Sequence, residues 1–202
     1  MKSDEKKVLL QEIHHRVKNN FQIIISLVEL QAIRNPENKN IFIDLVNRVK
    51  SISLIYENLL LADNLNFIKF CEYTKIIINN IENTYKKNIK FSFHCSEEIL
   101  LNIEQATSMG ITINELLLNV CHHAFTNSMD NRKADISIEE KNGKIIISVT
   151  DNGIGINEKF LKHDSSTLGL NLVKMLIKQQ LGGQIFIKND NGTKIIVEFN
   201  KE

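Results

Sequence analysis

The sequence predicts an α+β fold in which an antiparallel helical hairpin precedes a two-layer sandwich of helices and an antiparallel or mixed sheet. Apolar residues recur at helical spacing through the first third of the chain, and the only proline, Pro36, interrupts them. Several later segments alternate apolar and polar residues, as strands do. At 202 residues the chain is long enough for one ordinary domain and a smaller module. We expect a hairpin domain at residues 1–64 and a second domain at residues 65–202.

The hairpin is predicted from two apolar stripes on either side of Pro36. The first stripe consists of Leu10, Ile13, Val17, Phe21, Ile24 and Val28, and the second of Phe42, Leu45, Val49, Ile52, Tyr56 and Leu59. A proline in a polar segment ends one helix and can open the next. Because two helices cannot cover both apolar faces, we expect a homodimer through the hairpin, forming a four-helix bundle.

The remaining sequence predicts helices and strands in an order typical of a sandwich. Helices are expected at residues 70–85, 104–125 and about 167–181, and strands at residues 89–95, 136–138, 145–149, 184–188 and 194–199. The polar turn at residues 141–144 predicts a β-hairpin between the second and third strands.

Composition argues against several classes of function. The chain has 25 basic and 24 acidic residues, so its net charge of +1 gives no reason to expect nucleic acid or an anionic membrane as a partner. No apolar run approaches the roughly 20 residues of a membrane span, which predicts a soluble chain. Cys71, Cys95 and Cys121 are odd in number and widely spaced within apolar patterns. This predicts reduced thiols and a cytoplasmic location.

A histidine lies on the polar side of the first predicted helix. At about 100° per residue, His15 points away from the apolar stripe, whereas His14 falls at its flank. His15 shares its helix face with Lys18 and Asn19, and this position suits it for phosphate chemistry. The alternative is an ordinary solvated histidine. Arg16, Lys18 and Asn19 either contact a transferring phosphoryl group or simply form a solvated face.

Two motifs in the second domain suggest nucleotide chemistry. Glu115 and Asn119 are four residues apart and therefore share one helix face, where their oxygens could hold a Mg²⁺ shell. Asp151 directly follows a predicted strand and precedes Gly153 and Gly155, which allow the backbone to turn sharply against a ligand. A carboxylate at this point could accept the exocyclic amine of adenine.

Two further motifs are ambiguous by themselves. Ser165–Leu170 opens a helix whose free N–H groups suit phosphate, although hydroxyls and glycine are also ordinary capping residues. Thr193 leads the last strand, where its hydroxyl could reach adenine through water. Cys121 with His122 and His123 raises a zinc alternative, but the spacing fits no usual structural zinc site.

Taken in order, these motifs resemble the sensor histidine kinases, in the branch related to the HWE kinases. His15–Asn19 matches the His-Arg-x-Lys-Asn signature of the acceptor helix, and the resemblance continues to the end of the chain. Residues 114–125 look like the N box, Asp151–Gly155 like the G1 box, and Leu168–Leu170 like the G2 box. The resemblance implies a Bergerat ATP-binding fold for the second domain.

The resemblance also assigns roles. It implies that His15 accepts the phosphoryl group, Asn119 binds Mg²⁺ and Asp151 accepts adenine, while Glu115 polarises the attacking group or orients metal-bound water. The other nucleotide-binding residues that it implies are His122, His123, Gly153, Gly155, Leu168, Gly169, Leu170 and Thr193. One departure stands at His122, where relatives usually have lysine.

The expected function is that of a histidine autokinase of a two-component system, with ATP and Mg²⁺ as cofactors. His15 would pass its phosphoryl group to an aspartate of a response-regulator receiver domain, and a sensor domain or sensor protein would supply the input. A hinge at Leu61–Phe67 and a short lid between Gly155 and Gly169 are expected. Alternatives are a non-autophosphorylating histidine phosphotransfer adaptor with a degenerate nucleotide domain, and an ATPase or serine kinase of the same fold.

Overall fold

A computed structural model describes residues 2–61, 67–85, 87–156 and 168–202. The chain divides into two compact units, Met1–Leu65 and Asn66–Glu202. The predicted domain boundary, most of the predicted hinge and most of the predicted lid lie outside the described residues. None of the helices in the described ranges combines the length and hydropathy needed to cross a membrane.

The first unit is a helical hairpin. Helix α1 spans Lys2–Arg34 and helix α2 spans Lys39–Leu61, with a short 3₁₀ turn at Pro36–Asn38 between them. Proline at the start of that turn costs no helical hydrogen bond, since its missing N–H would have no partner there. Between the helices, Ile25 and Val46 are buried, and the rings of Phe21 and Tyr56 lie 5.9 Å apart between centroids.

A second apolar surface of the hairpin is exposed. Ile23, Leu27 and Leu30 lie at i, i+4 and i+7 on α1, and their exposed fractions are 57%, 59% and 53%. Ile41 on α2 is also exposed. The three residues on α1 define what we call the open hairpin face. An apolar face of this kind is typical of a protein interaction surface.

The second unit contains a five-stranded mixed sheet. Its strands are β2 (Ile89–Cys95), β4 (Arg132–Lys141), β5 (Lys144–Asp151), β6 (Gln184–Asn189) and β7 (Thr193–Asn200), in the order β2-β4-β5-β7-β6. Strands β2 and β4 are parallel, and the other neighbours are antiparallel. A separate ribbon pairs Ile68–Lys69 (β1) with Leu100–Leu101 (β3). This ribbon was not predicted, because strands of two residues show no periodicity.

The described residues of this unit also form the helices α3 (Phe70–Tyr85), α4 (Ile103–Asn119) and α5 (Leu168–Met175). Alternate strand residues are buried, including Ile136, Ile147 and Val197. The core therefore lies on one side of the sheet, as the period of two requires. The predicted α+β fold of a hairpin followed by a sandwich is confirmed.

Two of these helices end differently from the prediction. Helix α4 continues as a wider π-helical turn at Val120–Ala124, and α5 does the same at Leu176–Gln180. At the first junction the Val120 N–H donates to the carbonyls of both Leu116 and Leu117, so α4 keeps its regular hydrogen bonding up to the point where the π-helical turn starts. A hydrophobic pattern alone does not distinguish this from a regular helix.

The cysteines differ in part from the prediction of three reduced thiols. Cys71, at the start of α3, is joined to Cys95, at the end of β2, by a disulfide, and their Cα atoms lie 6.2 Å apart. The prediction is wrong for this pair because a sequence separation of 24 residues does not reveal that the two elements are neighbours. Cys121 is free and buried, as predicted.

Candidate active site

Asp151 ends β5, a central strand of the sheet, and is only 6% exposed. Its Oδ1 accepts hydrogen bonds from the N–H of Gly153, at 2.9 Å, and from the N–H of Thr193, at 3.2 Å. Three residues singled out from the sequence are thus brought together. Within the described part of the chain Oδ2 accepts no hydrogen bond, so it retains the capacity to accept one from a ligand.

The backbone of the loop after Asp151 lies directly against the backbone of two other segments, at Ala124 and at Gly192. A Cβ at Gly153 would lie 2.0 Å from the carbonyl oxygen of Ala124, and that oxygen accepts the N–H of Ile154 at 2.8 Å. On the other side, a Cβ at Gly192 would lie 1.9 Å from the carbonyl oxygen of Asp151. Glycine at these two positions is therefore a steric requirement of the close approach.

The contact with Ala124 brings the end of the α4 segment to this loop. Asn119 is the last residue of α4 and is half-buried, and Glu115, one turn earlier, is almost fully buried. Both lie on one helix face, as the spacing predicts. The π-helical turn therefore joins the predicted metal-binding residue to the predicted adenine-binding loop.

The two histidines of that turn differ in environment. The His122 ring is half-buried and contacts the Tyr85 ring edge-on, with centroids 5.1 Å apart. The His123 ring is exposed and lies 5.9 Å from that of His122. Among the described residues, no group of three or more His, Cys, Asp and Glu side chains could hold a metal ion. The zinc alternative thus gains no support from this turn.

The predicted phosphate-binding segment is described only from Leu168 onward. Leu168 begins α5, and Gly169 and Leu170 are buried in its first turn. The hydroxyl residues at 165–167 lie outside the described residues, as does the side chain of Leu168. The free N–H groups at the start of α5 are those that the sequence analysis assigned to phosphate.

On the hairpin, His15 lies in α1, but its side chain and that of His14 lie outside the described part of the structure. The neighbouring charges are described. Arg16 Nε pairs with Glu12 Oε1 at 2.8 Å, Lys18 Nζ lies 3.5 Å from Glu57 Oε1, and Asn19 is exposed. The side chains of Arg16 and Lys18 are largely exposed, so these ion pairs contribute little to stability.

Asn152 has a structural role that the sequence does not predict. Its Oδ1 accepts the N–H of Lys133 and its Nδ2 donates to the carbonyl of Asn131, both at 2.7 Å. These bonds attach the loop after Asp151 to the start of β4. A run of Asp, Asn and Gly indicates a turn, but it does not indicate which strand the amide will contact.

Two family models match the chain. Residues 12–85 match the family HisKA_2, described as histidine kinase. Residues 104–202 match the family HATPase_c, described as histidine kinase-, DNA gyrase B- and HSP90-like ATPase. The chain belongs to the histidine kinases. It is a catalytic core of the HWE-related branch, and the resemblance drawn from its motifs is confirmed.

Individual relatives extend the match. The chain is 29% identical over 198 residues to the sensor histidine kinase PdtaS of Mycobacterium tuberculosis, covering 95% of this chain and 39% of that protein. This kinase core thus spans about two fifths of the length of that curated relative.

Solved structures agree with the predicted Bergerat-type fold. The histidine kinase domain from an Erythrobacter litoralis blue-light activated histidine kinase superposes with a TM-score of 0.71 at 23% identity, over 99% of this chain and 94% of that chain. Histidine kinase ThkA, solved in complex with response regulator protein TrrA, gives a TM-score of 0.56 at 22% identity, over 98% of this chain and 64% of that chain.

Proposed function

We propose that this chain is an ATP-dependent protein histidine kinase that phosphorylates His15 and passes the phosphoryl group to an aspartate of a response regulator. One observation carries the proposal. The N–H groups of Gly153 and Thr193 both donate to Oδ1 of Asp151, and this carboxylate lies in the same chain as the His-Arg-x-Lys-Asn helix. Neither the family nor this site favours the adaptor alternative.

The nucleotide site that we propose is centred on Asp151. Its Oδ2 accepts the adenine amino group, and the Thr193 hydroxyl reaches the base through water. Gly153 and Gly155 let the backbone of this loop pack closely against Ala124 and Asn189, and we assign that backbone to the wall which the nucleotide approaches. The phosphates are bound by the groups predicted for them: the N–H groups at Leu168, Gly169 and Leu170, and the imidazoles of His122 and His123.

The residues present fit a magnesium ion. Mg²⁺ prefers oxygen ligands and keeps several waters, and the half-buried amide of Asn119 offers one such oxygen at the end of α4. We assign Asn119 as its protein ligand and Glu115 as the group that orients a bound water or polarises the attacking nitrogen. When bound, the ion would neutralise part of the negative charge of the phosphates.

Phosphoryl transfer requires alignment more than covalent work by the protein. A ring nitrogen of His15 attacks the γ-phosphorus, the bond to the bridging oxygen breaks, and ADP leaves. The proton on the other ring nitrogen must be accepted. Glu12 and Glu115 are the two candidate acceptors, although Glu12 already pairs with Arg16. Arg16, Lys18 and Asn19 would then contact the transferring phosphoryl group or the acidic partner.

Three partners complete the proposal. The open hairpin face supports a homodimer, because it leaves apolar side chains uncovered within one hairpin. A response-regulator receiver domain is supported by the complex of ThkA with TrrA. A sensor domain or sensor protein is supported by the greater length of the curated relatives. We place the reaction in the cytoplasm because ATP is available there.

Labelling with γ-³²P ATP and Mg²⁺ tests the function. A phosphoramidate on histidine is labile in acid and stable in base, so we expect the purified chain to gain label with those properties. His15→Gln should abolish the label, and the matched control His14→Gln should keep it. Label that persists in His15→Gln and disappears in His14→Gln would contradict the assignment. A chain that binds no nucleotide but accepts phosphate from another protein would favour the adaptor.

A further inference from the structure

The side chain of Asn189, the last residue of β6, makes a two-bond contact with the loop after Asp151. Its Oδ1 accepts the N–H of Ile156 and its Nδ2 donates to the carbonyl of Ile156, both at 2.8 Å. An amide that donates to and accepts from one residue's backbone does what a neighbouring strand would do. The loop is thereby attached to the end of β6.

The same β6–β7 turn also holds the other end of the loop. Thr193 pairs with Asn189 across the turn, and its N–H donates to Asp151 Oδ1. The segment from Asp151 to Ile156 is therefore fastened to one turn at both ends. Gly155 lies between, at φ +75°, and a Cβ there would be 3.0 Å from Asn189 Oδ1.

We infer that Asn189 is a positioning residue for nucleotide binding, because its two bonds fix the Asp151–Ile156 loop in one arrangement beside the carboxylate proposed to accept adenine. The inference rests on the proposed nucleotide site. Both bonds are solvent-exposed, so water can replace them without unfolding the domain. Without these two bonds the loop is less ordered before the nucleotide binds. Part of the binding free energy is then spent on ordering the loop, so the affinity falls.

An amide is the group that this contact requires. An aspartate in place of Asn189 would not serve, because a carboxylate accepts from the Ile156 N–H but repels the Ile156 carbonyl. The informative substitution is thus Asn189→Asp, with Asn189→Leu as the variant of similar shape that makes neither bond. Asp190→Asn is the matched control. Asp190 is the next residue, is exposed, and bonds through its backbone N–H.

The test is calorimetric titration with AMP-PNP and Mg²⁺, together with melting temperatures in the absence of nucleotide. We expect both Asn189 variants to bind about tenfold more weakly, because Asn189→Leu loses both hydrogen bonds and Asn189→Asp replaces one of them by repulsion. Asp190→Asn should bind like the parent. In autophosphorylation, KM for ATP should rise about tenfold while the rate at saturating ATP is retained.

Three results would overturn the inference. Affinities within twofold of the parent would remove the positioning role. A loss of affinity matched by a large fall in melting temperature in both variants would assign Asn189 to the fold alone. A parent chain that binds no AMP-PNP would instead refute the proposed function, and the positioning role with it.

Discussion

The two carboxylate oxygens of Asp151 have different roles: Oδ1 accepts two backbone N–H groups, and Oδ2 is the proposed acceptor for adenine. One substitution can therefore remove the second role and keep the first. Asparagine is isosteric with aspartate, so Asp151→Asn keeps an oxygen for the N–H groups of Gly153 and Thr193 but places an NH₂ group where Oδ2 was. A donor opposite the adenine amino group cannot bond to it. We expect the fold to be retained and nucleotide affinity to fall at least about a hundredfold, measured by calorimetry.

The control for this prediction is Asp135→Asn. Asp135 pairs with Thr150 and is exposed on the face of the sheet opposite to that of Asp151, so the substitution makes the same change of charge without touching the loop's hydrogen bonds. It should leave the affinity unchanged. Equal affinity of Asp151→Asn and the parent chain would rule out the adenine role.

Cys121 gives a second residue-scale prediction, for stability against pH. Burial raises the pKa of its thiol from 9.0 to about 11, against a smaller lowering by Lys87. The unfolded chain therefore releases the thiol proton at lower pH than the folded chain, and stability is lost as pH rises from 9 toward 11. Between about pH 8 and pH 10.5, the free energy of unfolding measured with urea should fall by about 2 kcal/mol more for the parent than for Cys121→Ala. Parallel pH profiles of parent and variant would contradict this pKa.

At the scale of elements, the site depends on the contact between the loop after Asp151 and the π-helical turn. Gly153→Ala forces a Cβ against the Ala124 carbonyl, so the loop and turn must separate. We expect a loss of stability of about 1–3 kcal/mol, as in overpacking, and no detectable binding of AMP-PNP in calorimetry.

Gly143→Asn is the matched control for that substitution. Gly143 has φ +73° in the β4–β5 turn, no atom lies within 4 Å of the point that its Cβ would occupy, and asparagine tolerates that backbone conformation. The nucleotide affinity of this control should equal that of the parent. If Gly153→Ala also binds normally, the loop does not need its contact with Ala124.

The elements themselves were largely predictable, and the exceptions have physical causes. Strands β4 and β5 follow from strict alternation and an Asn-Gly turn, and Gly153 was recognisable from its motif. The π-helical turns, the β1–β3 ribbon and the disulfide between Cys71 and Cys95 were not. The disulfide depends on a contact between segments 24 residues apart, which local periodicity does not encode. The ribbon strands are too short to show a period, and a hydrophobic pattern does not distinguish a π-helical turn from a regular helix.

For the whole molecule, the sequence predicted two regions with separate chemistry, and a histidine kinase family and an ATPase family match the chain in that order. The order of motifs was more informative than any single motif, because one glycine-rich turn occurs in many folds whereas this succession is specific. The use of Asn152 and Asn189 as loop anchors could not be predicted. An asparagine in a turn is common, and its partner is known only from the folded chain.

The dimer is the prediction that belongs to the whole molecule. The open hairpin face exposes Ile23, Leu27 and Leu30 along one stripe of α1. In a two-fold dimer the same three residues of both protomers would be buried in the interface. Introducing charge with the double variant Ile23→Glu and Leu27→Glu should therefore cost the association at least about 4 kcal/mol. Light scattering at micromolar concentration should show the parent as a dimer and this variant as a monomer.

Ile76→Glu is the control, since Ile76 is 38% exposed on α3 of the other unit, and it should remain dimeric. A double variant that is still dimeric would show that the chain associates through another surface, and the four-helix bundle would have to be abandoned.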